Sequence, residues 1–105
     1  MEADSTTVRC MIRVSVSYPK SDTAKFDHDY YANTHVPMAV AAWSPATTEI
    51  DKGINGPNLA AVHFTFDSND TFQAAMAKPE TAAVMADVAN YTDITPVMQV
   101  SEIVG

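Results

Sequence analysis

The run Phe26-Asp27-His28-Asp29-Tyr30-Tyr31-Ala32-Asn33-Thr34-His35-Val36-Pro37-Met38 gathers two aspartates, two tyrosines, two histidines and a proline in one short stretch. Elsewhere the chain is written mainly in Ala, Val, Met and Phe, the vocabulary of a core. A surface helix ordinarily offers Lys, Glu and Gln at its polar positions; this one offers groups that exchange protons or stack on rings. Histidine is the side chain whose ordinary titration falls near neutral pH, so a positioned His35 is the candidate base or acid. Asp27, Tyr31 and His35 recur at four-residue steps, which sets them along one side of a helix. Tyr31 can then hydrogen-bond the imidazole or present its hydroxyl to a substrate oxygen. Tyr30, Met38 and Trp43 are candidates to line an apolar or aromatic ligand's pocket. Asn33 and Thr34 can donate to an oxyanion. A plainer reading stands beside each: His35 as a buried ring capping the helix end at Pro37, Tyr30 and Trp43 as core, Asn33 and Thr34 as partners for backbone near the proline.

The elements that must hold these residues follow from periodicity. From Val8 the apolar positions alternate: Val8, Cys10, Ile12, Val14, Val16 and Tyr18 on one face, Arg9, Met11, Arg13, Ser15 and Ser17 on the other. That predicts a half-buried strand, closed by Tyr18-Pro19 and a polar loop over 20–25. Asp27 is a helix N-cap, with Phe26 placed to staple onto Tyr31. The helix should run to about Val36, with a kink or restart at Pro37 and a second short piece over 38–43. A loop over 44–58 holds one short edge strand within 47–54. Leu59–Phe66 alternates again, with Ala60, Val62, Phe64 and Phe66 opposite Ala61, His63 and Thr65. Ser68 caps a helix whose apolar side is Phe72, Ala75 and Met76. Pro79 to Asn90 forms a further helix on Val84 and Val88, and 94–104 a last strand after Pro96. Strand, helix, strand, strand, helix, strand in a chain this short predicts an α+β, ferredoxin-like βαββαβ fold, a four-stranded antiparallel sheet with its helices on one face. Met11, Ala61, His63 and Val97 or Met98 on the other face read as too apolar for water, which predicts a homodimer through the open sheet face.

Bulk properties narrow the function classes. A chain of 105 residues, 47% of them apolar, is one domain with one core; residues 1–7 are expected to be a frayed tail and 8–105 the domain. Thirteen acids against six bases give a net charge of -7, which repels phosphate backbones and anionic membranes, so no nucleic-acid or membrane partner is expected. A single cysteine, no basic and apolar leader and no long apolar run point to a cytoplasmic protein. Histidines at 28, 35 and 63 lack ligand spacing, so no metal is expected. Gly53 and Gly56 are isolated, and no cofactor signature is found. Cys10, mid-strand on the buried face, is a poor nucleophile. His28 reads as solvated, and His63 as an interface residue.

Tyr18-Pro19, Phe26-Asp27-x-Asp29-Tyr30-Tyr31-x-x-Thr34-His35-x-Pro37-Met38, Ala60-x-x-His63-Phe64-x-Phe66-Asp67-Ser68, Phe72-x-Ala74-Ala75-Met76 and Asp87-x-Ala89-Asn90-Tyr91-Thr92-Asp93-Ile94-x-Pro96-Val97-x-Gln99-Val100-Ser101-Glu102 together resemble the signature of the EthD family, over essentially Val8 to Val104. Tyr91 departs from the Phe-Thr-Asp of that pattern. The resemblance implies a dimeric α+β barrel, two ferredoxin-like subunits joined sheet to sheet. Related barrels include cofactor-free monooxygenases, muconolactone-type isomerases and haem enzymes, so the fold is implied more firmly than the reaction. Three functions remain open: a cofactor-free oxidoreductase or proton-transfer enzyme (an isomerase or dehydratase included) acting on a small apolar or aromatic substrate through His35 and Tyr31; a non-catalytic ligand-binding accessory protein of an oxygenase system; and a purely structural dimer.

Overall fold

The computed structural model describes residues 11–22 and 24–104. The tail expected over 1–7, the strand start at Val8 and the placement of Cys10 lie outside the described residues. Strand β1 (Ile12–Pro19) sits in the middle of a four-stranded antiparallel sheet of order β2-β3-β1-β4, between β3 (Asn58–Phe66) and β4 (Val97–Glu102), with β2 (Thr47–Lys52) at one edge. This is the ferredoxin-like α+β arrangement that the element order predicts. Alternation decides which side chains are covered: Ile12, Val14 and Tyr18 of β1 and Ala60, Val62, Phe64 and Phe66 of β3 are buried beneath the helices.

Asp27 opens the first helical unit, accepting a hydrogen bond from the Tyr30 amide at 3.0 Å. Helix α1 (His28–Tyr30) passes into a π-helical turn, Tyr31–His35, and then into α2 (Val36–Trp43). The chain therefore does not stop at Pro37. The wide turn, in which the Val36 amide reaches the Tyr31 carbonyl, directly precedes the proline, and the helix runs on through Pro37 in the first turn of α2. Ser44, in the left-handed region at φ 49°, closes α2. Gly53 follows β2 and donates to the Leu59 carbonyl, tying the β2–β3 hairpin. Helix α3 (Asn69–Met76) is capped by Ser68, and α4 (Glu80–Asp87) runs into a short 3-10 turn, Val88–Asn90.

Two segments far apart in sequence are stitched beside the site. Phe26 and Thr92 form an isolated antiparallel bridge, and the Asp27 amide donates to the Tyr91 carbonyl at 2.8 Å. Thr92 Oγ1 donates to the Lys25 carbonyl at 2.6 Å. These bonds fix the start of the first helical unit against the end of the second.

The uncovered sheet face differs from expectation. Register pairs Ser17 with Val97 and Val16 with Met98, so Met98 turns to the helix side and Val97 to the open side. Arg13, Ser15, Glu49, Asp51, His63, Gln99 and Ser101 line that open face. It is polar rather than apolar, because the edge strands contribute Glu49, Asp51, Gln99 and Ser101. Exposed apolar side chains on it are confined to its ends, such as Val97 and Met11.

Candidate active site

Between sheet and helices lies a cavity of about 190 Å³. Val16 and Tyr18 of β1, Val62 and Phe64 of β3, Met98 of β4 and Pro96 form its floor. His35, Val36, Ala39 and Trp43 on one side and Val84, Met85 and Val88 on the other complete it. Its walls are mainly apolar, and His35 is the one titratable histidine on them. A cavity near 150 Å³ suffices for benzene, so this one accommodates a single ring with a small substituent.

His35 is 6% exposed and its position is set by Asp87, 7% exposed. Nδ1 of His35 lies 2.9 Å from Oδ2 of Asp87. The other carboxylate oxygen, Oδ1, accepts from the Tyr30 hydroxyl and from Asn90 Nδ2, both at 2.8 Å. Burial alone would raise the Asp87 pKa, but the hydrogen bonds from His35, Asn90 and Tyr30 outweigh it and hold the carboxyl below its ordinary value. An ionised carboxylate only accepts, so Nδ1 carries the proton and the lone pair of the neutral ring is on Nε2. Among the described residues Nε2 has no hydrogen-bond partner. The site thus contains a held imidazole with one basic nitrogen left for a bound molecule.

Tyr31 and His35, four residues apart and both within the π turn, are buried on one face of the helical unit. Tyr31 stacks on the imidazole, rings 5.8 Å apart and 15° from parallel, and Tyr91 packs 4.5 Å from it. Tyr31 does not hydrogen-bond the imidazole: its hydroxyl is buried with no partner among the described residues, and burial foremost raises its pKa. The hydroxyl that Tyr91 carries in place of the expected phenylalanine meets the Tyr18 hydroxyl at 2.5 Å.

The other sequence candidates fall into two groups. Trp43 lines the cavity, its ring edge-on to Phe64 and its indole N–H donated to Thr81 Oγ1 at 2.9 Å. Tyr30 acts one step removed, through Asp87, whose acceptor oxygen raises the phenol's pKa. Met38 is half-buried against the core, and Asn33 and Thr34 are exposed; none of the three lines the cavity. Asp27 is spent on the helix cap. Sequence reasoning missed Asp87 as a site residue, although Asp87 and Asn90 stand in one quoted motif. A larger, open depression of about 420 Å³ beside Lys25, Asp27, Asn90 and Asp93 does not include His35. Among the described residues no three His, Cys, Asp or Glu side chains are grouped to hold a metal, and no helix is long and apolar enough to cross a membrane.

The EthD domain model matches residues 56–95. An EthD-like protein of Ralstonia eutropha JMP134 is 40% identical, with 93% of this chain and 96% of that chain covered and a TM-score of 0.84. SnoaB of Streptomyces nogalater, a cofactor-independent oxygenase, shares 10% identity over 93% and 96% of the two chains, with a TM-score of 0.69. A dimeric ferredoxin-like protein of Thermobifida fusca shares 18% over 90% and 92%, with a TM-score of 0.56. The latter two likenesses are of fold. No curated protein matches the chain.

Proposed function

Since this chain belongs to the EthD family, we propose that it is a cofactor-free acid–base enzyme acting on a small, single-ring or similarly compact apolar substrate. His35 Nε2 removes a proton from a carbon beside a carbonyl, or from a phenol, of a molecule bound in the cavity. Asp87 fixes the ring and stabilises the imidazolium that forms. The resulting anion either meets dioxygen or is reprotonated at another position. Dioxygen would make the enzyme an oxidoreductase, and reprotonation an isomerase. The observation that carries this reading is the Asp87-anchored imidazole on the wall of an otherwise apolar cavity. That a fold neighbour is described as a cofactor-independent oxygenase agrees with chemistry that needs no bound helper. We further infer a homodimer paired through the open sheet face, in line with the dimeric fold neighbour.

Proton abstraction can be tested before any product is known. Compounds from a set of monocyclic phenols, cyclic ketones and lactones are first selected by thermal shift, then incubated with the protein in D2O. Proton NMR is expected to show enzyme-dependent loss of an acidic hydrogen signal. His35→Ala should slow that exchange about 100-fold or more, the range of general-base contributions. Exchange that proceeds unchanged in His35→Ala would remove His35 from the mechanism.

A further inference from the structure

The His35 cavity holds a second polar group, and one hydrogen there is uncommitted. Tyr18 ends the covered face of β1, paired with Ala60 of β3 and one residue beyond the last β1–β4 pair, Ser17–Val97. Its ring is boxed edge-on by Phe26, Tyr31 and Tyr91, with centroids 5.1, 5.3 and 5.9 Å away. Its hydroxyl meets that of Tyr91 at 2.5 Å. Two hydroxyls carry two hydrogens, and the bond between them uses one. The other needs an acceptor, since an unpaired buried donor costs about 1–3 kcal/mol. Both tyrosines are buried, and neither hydroxyl has another partner among the described residues. Of the two, only Tyr18 lines the cavity. With Tyr91 donating, the spare hydrogen belongs to Tyr18, the member of the pair that a guest can reach. Burial raises the Tyr18 pKa, and the hydrogen bond with Tyr91 opposes that rise. The phenol therefore stays protonated at neutral pH and serves as a donor, not a base. Tyr91, whose ring packs 4.5 Å from the imidazole, links donor and base in one constellation.

Resting on the reading of His35 as the base, we propose that Tyr18 is a catalytic oxyanion donor for a compact cyclic ketone or lactone. Such a substrate carries a hydrogen on the carbon beside its carbonyl. A phenol loses its proton from the same oxygen that becomes charged, so a single contact serves it. A carbon acid separates the two: it needs a base at carbon and a donor at oxygen, and this cavity has one of each. His35 Nε2 takes the proton from the carbon. The electron pair of that C–H bond becomes the second bond of a C=C, and the carbonyl π pair moves onto oxygen. The Tyr18 hydroxyl hydrogen-bonds that oxygen as its charge grows, in apolar surroundings that strengthen the bond. The imidazolium then returns the proton to the same carbon or, in a conjugated substrate, to one further along, with no redox change. Tyr91 is a positioning residue. Its hydrogen bond to the Tyr18 oxygen frees the Tyr18 hydrogen for the guest, and it strengthens as that hydrogen is drawn away.

Two measurements separate the donor from the base. Pentafluorophenol, ionised at neutral pH, imitates a ring bearing an anionic oxygen, and pentafluorotoluene is its uncharged counterpart of like shape. Fluorine NMR titration of the whole protein is expected to show the phenolate bound at least tenfold more tightly than the toluene. Tyr18→Phe should abolish that preference with toluene affinity within twofold, and His35→Ala should retain it. In D2O, exchange of the hydrogens beside the carbonyl of cyclohexanone should slow about 100-fold in Tyr18→Phe, the cost of losing one oxyanion donor, with half-saturation within threefold. Tyr91→Phe should slow it about tenfold. Tyr18→Phe/Tyr91→Phe orphans neither hydroxyl of the pair and should match Tyr18→Phe, which sets the lost donor apart from disturbed packing. Exchange lost in His35→Ala but unchanged in Tyr18→Phe overturns the donor and leaves the base. Exchange lost in Tyr18→Phe but unchanged in His35→Ala removes the base and leaves the donor. A parent protein with no preference for the phenolate, or with no exchange from cyclohexanone, overturns the proposal, as does a preference that depends on His35 and survives Tyr18→Phe.

Discussion

Asp87 carries more of the site than any single side chain except His35. Three donors converge on its buried carboxylate, and replacing it by asparagine leaves at least one of them poorly satisfied. Asp87→Asn is therefore expected to lower stability at pH 7 by about 1–3 kcal/mol, the cost of disturbing hydrogen bonds to a charged group, and to slow His35-dependent exchange at least tenfold. The pH dependence has a definite sign. Because the folded carboxyl titrates below its ordinary value, its stabilisation is present above the unfolded value near pH 4 and lost as pH falls through the folded one. Urea unfolding should show the parent and Asp87→Asn converging on acidification below about pH 4, and a gap that stays constant there would refute the assignment. Tyr31 presents the opposite case, a buried hydroxyl without a partner among the described residues. Tyr31→Phe keeps the stacked ring and removes the unsatisfied group, so it should raise stability by about 1 kcal/mol. A drop in Tm would show that the hydroxyl is satisfied after all. Asp87 escaped the sequence reading for a plain reason. Its partner lies 52 positions away, and no local spacing announces a contact that only tertiary packing makes.

The helical unit from His28 to Trp43 shows what an element adds to its residues. Pro37 marks a break in the sequence, yet a widened turn precedes it and the helix continues through it to Trp43. A π turn is one additional residue in a helix and leaves no compositional trace, so the sequence points to a kink instead. Within α2, Ala39 is 1% exposed and lines the cavity. Ala39→Leu should fill part of that space, keep or raise Tm, and abolish binding of single-ring ligands in a thermal-shift titration. Ligand binding that survives would place the ligand elsewhere. In the β2–β3 hairpin a side chain at Gly53 would collide with the Asn58 carbonyl oxygen. Gly53→Ala should cost about 2 kcal/mol through the backbone shift it forces, readable as an earlier urea midpoint with unchanged secondary structure.

At the scale of the whole molecule, the order of elements was enough to foretell the sheet, its covered face and the αβ layering, because periodicities of two and of three to four residues are written in the chain. The polarity of the open face is not legible in the sequence, because the pattern over 44–58 bounds β2 only loosely and leaves Glu49 and Asp51 without a face, and because the parity of β4 turns on a single position after Pro96. The inferred pairing through this face consequently rests on polar complementarity, Arg13 against Glu49 and Asp51, rather than on an apolar patch. Sedimentation should give twice the chain mass, with Ala61→Arg, at the middle of the face, giving the chain mass and an unaltered circular dichroism spectrum. A parent protein that sediments as a single chain would remove the dimer. One further consequence belongs to the indole on the first cavity's wall. Trp43 is the chain's sole tryptophan, so every photon of its emission originates beside the place where a guest would lodge. An unlabelled sample excited near 295 nm is thus its own occupancy gauge, and quenching or a spectral shift on titration reads directly which small molecules enter.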